Sequence, residues 1–398
     1  MGVSYNASQI VSDGLVFHLD AANPNRYQSG ENYISYSNYD PRTWSNLIPQ
    51  NATLVTGIDA PDGSNTAIRF ICTDQGGGIP STGYRASLLR ITIPDLITNG
   101  SDTYTVSFYA RLISGSSTTG ITCDLQDGNP LTTYTGSLIR NQWVRIIATG
   151  IPSAGLKNFF DIFSDSINNY TVDLWGAQLE RGSTATTLTP TNGSVVLRTW
   201  FDTYNQNNVF LSNVTYVGGS IPYFDFNGTS SYGYNFSAFN NPLTTGNTAS
   251  VLLWIYPNTT QPDPSYSGMF ALGTKSCALG NGNGQTLLFS MQSNRTLTMA
   301  KYCDDSFSSI APSANTWSMV SLVKDGASTR FGINGSTFNN GVNTGTQNFA
   351  GTNLTIGCTD NPGRYYSGRI ASVMLYKTAL SDSQVLQNYN AQKSRFGL

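Results

Sequence analysis

Few residues in this chain have the types and spacing that catalysis requires. Its 398 residues hold one histidine, His18, and two glutamates, Glu31 and Glu180. A Ser-His-Asp or Cys-His arrangement needs His18 as its base. His18 stands between Phe17 and Leu19, where a histidine packs or hydrogen-bonds. Glycoside hydrolysis needs two carboxyl groups across the scissile bond, and neither glutamate has an acidic neighbour two or four residues away. In the Trp-Gly-Ala-Gln-Leu-Glu string, Glu180 reads as a structural hydrogen-bond acceptor. The aspartate pairs Asp304–Asp305, Asp161 with Asp165, and Asp124 with Asp127 read as solvated turns. No catalytic residue and no enzymatic activity are expected.

Other chemistries find equally little support. The five cysteines (Cys72, Cys123, Cys277, Cys303 and Cys358) form no CxxC pair, so zinc is not expected and buried thiols are. Spacing alone does not assign a Cys277–Cys303 bridge. No Gly-rich phosphate loop precedes a helix. Formal net charge is −2 with no basic run interleaved with aromatics, which argues against nucleic-acid binding. No apolar run reaches about 18 residues, so no membrane-spanning helix is expected. The first residues, Met1-Gly-Val-Ser-Tyr-Asn, lack a basic and an apolar region, so no export signal is expected. Sequons such as Asn51-Ala-Thr then read as by-products of abundant Asn, Ser and Thr.

Binding by surface aromatics remains. Sugars offer apolar C–H faces to Tyr and Trp, while their hydroxyls bond to Asn, Asp and Gln. The loop aromatics that suit this role are Trp44, Tyr134, Tyr266, Tyr365 and Tyr366. Tyr365-Tyr366 precedes a strand, and successive strand residues face opposite ways, so a core role for both is awkward. Packing and subunit contact are the competing roles for each.

Strands must position these side chains. Aromatics make up 12% of the chain and charged residues only 11%, with 39 Gly, which suits many short strands joined by polar turns. Leu15, Phe17 and Leu19 alternate with Val16, His18 and Asp20, a strand stopped at Ala21-Ala-Asn-Pro24. A new pattern begins near Glu31. Its strands fall near 45–56, 66–73, 87–93, 103–113, 119–125, 142–149, 157–164 and 170–180. Tyr104, Val106 and Phe108 share one face, and Gln142–Ile147 reads as a central strand. Thr189-Pro-Thr-Asn-Gly193 reads as a closing linker. From Val195 the first pattern resumes, with turns such as Asp325-Gly326 and Asn334-Gly335. Ser381-Asp-Ser-Gln384 is a capping box opening a helix, with Val385, Leu386 and Tyr389 as its apolar stripe.

Four signatures resemble the concanavalin A-like, or laminin-G-like, lectin fold. They are Gly14–Tyr27 continued at Trp200-Phe-Asp202, then Tyr223–Tyr232, then Thr316–Gly335, and finally Leu354–Gly357 with Gly368–Ser381. Between the two parts of the first signature, Leu174-Trp-Gly-Ala-Gln-Leu-Glu-Arg-Gly-Ser-Thr-Ala-Thr186 resembles the terminal strand of carbohydrate-binding-module-type jelly rolls in bacteriophage proteins. Met1–Asp20 and Gln387–Leu398 resemble virion proteins of phages infecting cyanobacteria. The expected fold is all-β: two β-sandwich (jelly-roll) domains, one inserted into the other, with a short C-terminal helix. Residues 1–13 form a docking tail for a neighbouring subunit. Residues 14–30 with 192–398 form the concanavalin A-like sandwich, and 31–191 the inserted carbohydrate-binding-module-like one. The strand Leu15–Asp20 should pair near Arg369–Leu375, and the ends of the guest must lie close together.

The resemblance implies a non-enzymatic virion surface protein, assembled in the host cytoplasm without membrane insertion. It would serve as a head decoration, fibre or tail-associated subunit, homo-oligomeric and bound to other virion subunits, with lectin-like domains touching host-surface glycans. A purely structural capsid cement protein and a polysaccharide-degrading tailspike are the alternatives. No cofactor is implied. Sandwich lectins often hold Ca²⁺, but the family-like turn reads Asn227-Gly-Thr-Ser-Ser231 where acids are often found. That leaves only Asp304, Asp305 and Asp360 as metal candidates.

Overall fold

The computed structural model describes residues 9–23, 26–34, 37, 52–72, 87–98, 100–115, 121–125, 133–135, 137–164, 170–191, 196–204, 207–236, 239–243, 247–274, 285–300, 305–341, 349, 352–359 and 363–398. The chain divides into two compact units, Met1–Ser29 with Arg198–Leu398, and Gly30–Leu197. Both are built of antiparallel β-sheets packed as sandwiches.

In the outer unit, Thr248–Pro257 is buried along nearly all its length because both of its faces are covered. Val251, Leu253 and Ile255 point into the core between two sheets, while Leu252 and Trp254 point the other way. It lies within an eight-stranded sheet, between Ser367–Tyr376 and Ser318–Asp325. Leu15–Asp20 joins this sheet by pairing with Ser372–Tyr376, the long-range contact expected from the sequence. Facing it across the core is a nine-stranded sheet that includes Val209–Ser212, Tyr232–Asn235, Leu354–Ile356 and Ser267–Thr274. The stretch 207–217 is broken at Asn213, whose φ of +53° turns the chain. Its halves, Val209–Ser212 and Thr215–Val217, enter different sheets.

The second face of the eight-stranded sheet is sealed by the helix Asp382–Gln392, which opens on the expected capping box at Ser381. The ring of Trp254 stacks against Phe396 at 4.0 Å and Tyr389 at 5.7 Å. The expected apolar stripe is corrected at one position. Leu386 is 40% exposed, and the inward pair is Val385 with Asn388, three residues apart. Asn388 Oδ1 accepts from the Val11 amide at 2.8 Å and lies 3.2 Å from the Tyr376 hydroxyl, which is 3.0 Å from Val11 O. Residues 9–13 of the expected docking tail therefore pack on their own unit, whereas residues 1–8 lie outside the described residues.

The inner unit pairs a six-stranded sheet with a three-stranded one, Ser87–Thr98, Gly155–Ser164 and Ile121–Asp124. Tyr104, Val106 and Phe108 share the core with Ile91, Ile93 and Cys123 of the smaller sheet. The unit begins and ends at one place. Asn32 and Val196 exchange backbone hydrogen bonds of 2.6 and 2.9 Å. In the outer unit, Tyr27–Gln28 pairs with Thr199–Trp200.

Candidate functional site

The string from Leu174 to Thr186 builds a groove on the surface of the inner unit. It lies on Tyr170–Arg181, which runs between Ala67–Cys72 and Tyr104–Ser114. Up to Trp175 the alternation is regular, with Val172 and Leu174 in the core and Asp173 and Trp175 on the opposite face. The pairing register then slips between Trp175 and Gln178. Gly176, at φ +66°, absorbs the extra residue, and a Cβ there would meet Leu188 Cδ2 at 2.9 Å. The slip inverts the phase, so Ala177 and Leu179 face the core and Gln178 and Glu180 face away.

Those two polar side chains are buried by the segment that follows. Thr186 donates to Glu180 through its amide and its hydroxyl, both at 2.8 Å. Gln178 Nε2 donates to Glu180 Oε1 at 2.8 Å, and the Thr189 amide donates to Gln178 Oε1 at 2.6 Å. The Thr191 hydroxyl donates to Ile34 O at 2.6 Å. Residues 189–191, read from the sequence as linker, are thus tied into the unit. Glu180 is a staple, as its setting in the string suggests, and it holds Leu188 above Gly176.

The result is a groove of about 640 Å³ between Leu188 and Pro190 on one side and Pro61, Asp62, Ser64 and Thr66 on another. Its floor is Trp175 and Tyr109, with ring centroids 5.6 Å apart. Trp175 Nε1 donates to Thr66 Oγ1 at 2.9 Å, which fixes the indole. Thr66 Oγ1 is 2.7 Å from Ser64 Oγ, which donates to Asp62 Oδ1 at 2.6 Å. Since the Ser64 proton goes to Asp62, the Thr66 proton goes to Ser64, and the relay runs from indole to carboxylate. Hydrogen bonds from the Ser64 hydroxyl and amide hold the Asp62 carboxyl below its usual range. This wall therefore offers lone pairs, the complement of hydroxyl donors, beside aromatic rings that suit C–H faces.

A second cross-strand row adjoins the floor. Asp173 is directly opposite Arg69 on one side and Arg111 on the other. Its carboxylate is fully buried and accepts from Arg69 Nε at 2.7 Å and Nη2 at 3.1 Å, and from Arg111 Nε at 3.0 Å and Nη2 at 2.7 Å. Four charge-assisted bonds offset the desolvation of this one anion. Arg111 also lies 4.7 Å from the centroid of Trp143.

The aromatics expected from the sequence are elsewhere. Trp44 lies outside the described residues. Tyr134 is in the strand Thr133–Thr135, which has no clear sequence pattern, and its side chain is outside the described set. Tyr266 donates a very short hydrogen bond to Asp305, and the Arg364 guanidinium lies 5.2 Å from its ring centroid. Burial and the Asp305 carboxylate push its phenol up to about 12. Tyr365 is half-buried, 6.3 Å from Tyr232, at the end of a row continued by Tyr234 and Phe236. The last two rings stack on each other, with centroids 5.0 Å apart. Tyr366 is corrected outright. It is fully buried in the core, with its ring 6.3 Å from Phe226, and burial raises its phenol well above the ordinary value. The pair does alternate, one ring outward and one inward, which the sequence argument undervalued.

Asp304 and Asp360 lie outside the described residues, and Asp305 is engaged by Tyr266. Asp161 stands opposite Asp124 across two strands, with Asp127 and Asp165 outside the described residues. Among the described residues no group of three His, Cys, Asp or Glu comes together. In the family-like turn, Asn227 Oδ1 accepts from the amides of Thr229, Ser230 and Ser231, so the turn closes on its own side chain. Cys123 and Cys358 are buried thiols, and Cys277 and Cys303 lie outside the described residues.

The floor of the groove was missed by sequence reading although a signal existed. With Tyr104, Val106 and Phe108 inward, Tyr109 falls in the outward phase of the same strand, and register places it opposite Trp175.

Residues 227–386 match the family model described as the concanavalin A-like lectin/glucanases superfamily. No curated protein matches the chain. Among solved structures, the chain is similar to domain 4 of AbnA, a GH43 extracellular arabinanase from Geobacillus stearothermophilus, in complex with arabinotriose. Identity is 20%, over 45% of this chain and 82% of that one, with a TM-score of 0.35. It is also similar to the CBM40 of the Ruminococcus gnavus IT-sialidase bound to α2,3-sialyllactose, at 11% identity over 35% and 80% of the two chains, TM-score 0.28. A third is the SAP-like pentraxin of Limulus polyphemus, at 17% identity over 40% and 82%, TM-score 0.28. Residues 227–386 of the outer unit thus form a concanavalin A-like lectin/glucanase-type domain.

Proposed function

We propose that this chain is a non-catalytic glycan-binding subunit displayed on a virion surface, with the groove over Tyr109 and Trp175 as its sugar site. The groove itself carries the reading. An immobilised indole and a tyrosine form its floor, and the acceptor relay Thr66–Ser64–Asp62 forms a wall. That is the division of labour a pyranose needs, apolar below and hydrogen-bonding at the edge. Three observations support a role without catalysis. Asp62 is the one carboxylate lining the groove among the described residues. Glu180 is tied to Gln178 and Thr186, and Glu31 accepts the Arg181 amide. A glycosidase needs a carboxyl pair across its substrate. The virion assignment, with assembly in the host cytoplasm, is supported by the resemblance of Leu174–Thr186 and of both ends of the chain to phage proteins.

The test is a glycan array probed with the full chain and with Trp175→Ala, together with antibody labelling of imaged particles. Binding that falls at least about tenfold in Trp175→Ala is expected, with label on the particle exterior. Silence on the array with tight binding to isolated capsids would replace the glycan reading by a cement role. Release of reducing ends from envelope polysaccharide would replace it by hydrolysis.

A further inference from the structure

We propose that the saccharide taken by this groove carries a carboxylate. The inference rests on the glycan reading above and adds the ligand's charge. On the outward face of the six-stranded sheet, the register sets out two rows. Trp175 is opposite Tyr109, and Tyr109 is opposite Arg145. The neighbouring row contains Arg69, Asp173 and Arg111. Three arginines and one aspartate, the latter bound by Arg69 and Arg111, therefore lie on a face two strand steps long, in a chain whose net charge is −2.

Among the described residues, no second carboxylate forms an ion pair with these arginines, and Asp173 pairs with Arg69 and Arg111. Arg145 donates to the Ser107 hydroxyl at 2.8 Å and lies 5.8 Å from the Tyr109 centroid, and its Nε has no partner among the described residues. Among the described residues, this face thus carries two more guanidinium charges than carboxylates beside the aromatic floor. A planar carboxylate matches the guanidinium fork better than any neutral sugar substituent does.

Asp62 does not cancel this, because it sits at the opposite end of the row. Thr66, Ser64 and Asp62 flank Trp175 from the side of Ala67–Cys72, while Arg145 lies beyond Tyr109 on Val144–Gly150. Arg145 stands outside the groove's lining, but its guanidinium lies 5.8 Å from the Tyr109 centroid, so an acid group reaching past the edge of a ring above Tyr109 meets it. The same ring keeps its hydroxyls toward the acceptor wall. The two ends of the row orient the ligand.

The experiment is calorimetric titration of the full chain with oligogalacturonates, oligomannuronates and hyaluronan fragments, each paired with its methyl ester. The acid form of at least one pair should bind about tenfold tighter than its ester, and that preference should shrink as ionic strength rises. Arg145→Gln should erase the preference while Arg145→Lys keeps part of it. Arg111→Gln, checked for folding by its melting curve, should act in the same direction. Esters that bind as well as acids overturn the inference, as does a preference untouched by both arginine variants. Loss of all binding in Trp175→Ala separates these outcomes from failure of the site: if Trp175→Ala changes nothing, the glycan reading falls and the charge assignment falls with it.

Discussion

The imidazole of His18 sits in the strand Leu15–Asp20, with Nε2 3.4 Å from the Ser372 hydroxyl. Burial lowers its pKa from the ordinary 6.5, against the opposing pull of Asp20 and Asp202 and with a smaller contribution from Arg395 in the same sense as burial. The unfolded chain takes up a proton near pH 6.5 while the folded chain resists it, so the unfolded state binds more protons below that value. Stability should therefore decline as pH falls below about 6.5 and level off only beneath the folded pKa, with no change from this group at higher pH. Denaturant titrations between pH 5 and 7 should show that slope in the parent protein and a shallower one in His18→Gln. A slope identical in both would refute the assignment. At this scale the sequence was informative about roles set by near neighbours in the chain. The structural part played by Glu180 was visible in its string, whereas Asp202 and Arg395, which act on His18, are brought to it only by the fold. The pairing of Tyr109 with Trp175 was not visible either, because it exists only once the register between two strands distant in sequence is known.

Gly176 shows how one element decides the shape of the site. Its positive φ lets the strand Tyr170–Arg181 shift phase, so that Trp175 faces the groove and Ala177 the core. An L-residue held in that conformation costs about 1–2 kcal/mol, and the added Cβ must also displace Leu188. Gly176→Ala should accordingly lower stability by at least that amount in denaturant titrations and weaken sugar binding, whereas a variant as stable as the parent would show that the bulge is not needed. Elements with a sustained period were legible. Leu15–Asp20 and Tyr104–Ser114 fall where alternation places them. Tyr27–Gln28, Thr133–Thr135, Ser306–Phe307 and Thr337–Asn340 did not, since two to four residues carry no readable period and form because a neighbouring edge offers them partners. The helix stripe failed at one position for a related reason: Asn388 looks like a surface residue until Val11 and Tyr376 supply its hydrogen bonds.

For the molecule as a whole, the division at 29/30 and 197/198 has consequences for fragments. Residues 30–197 hold a complete core and both ends of their chain at the Asn32–Val196 bridge, so this fragment should fold and melt cooperatively by itself. Residues 198–398 lack Leu15–Asp20, which places Phe17 and Leu19 in the core and covers the Ser372–Tyr376 edge. That fragment should aggregate or fail to fold, and a well-behaved monomer in sedimentation would contradict the topology. The strand's remote pairing was foreseeable from the split signature. The extent of the guest was less so: Thr189 and Thr191 look like linker, and the hydrogen bonds that bind them to Gln178 and Ile34 depend on side chains folded over from elsewhere.

Gln28 is the direct cross-strand partner of Thr199. Ser29 and Arg198 therefore stand where the two central residues of a tight hairpin would stand, with 168 residues spliced between them in place of a peptide bond. An Asn-Gly pair at those two positions satisfies the same geometry. The host strands should therefore accept other inserts whose termini meet, or a two-residue turn in their place. On the glycan reading proposed above, exchanging residues 30–197 for another such unit should exchange the ligand preference and leave the host strands unchanged.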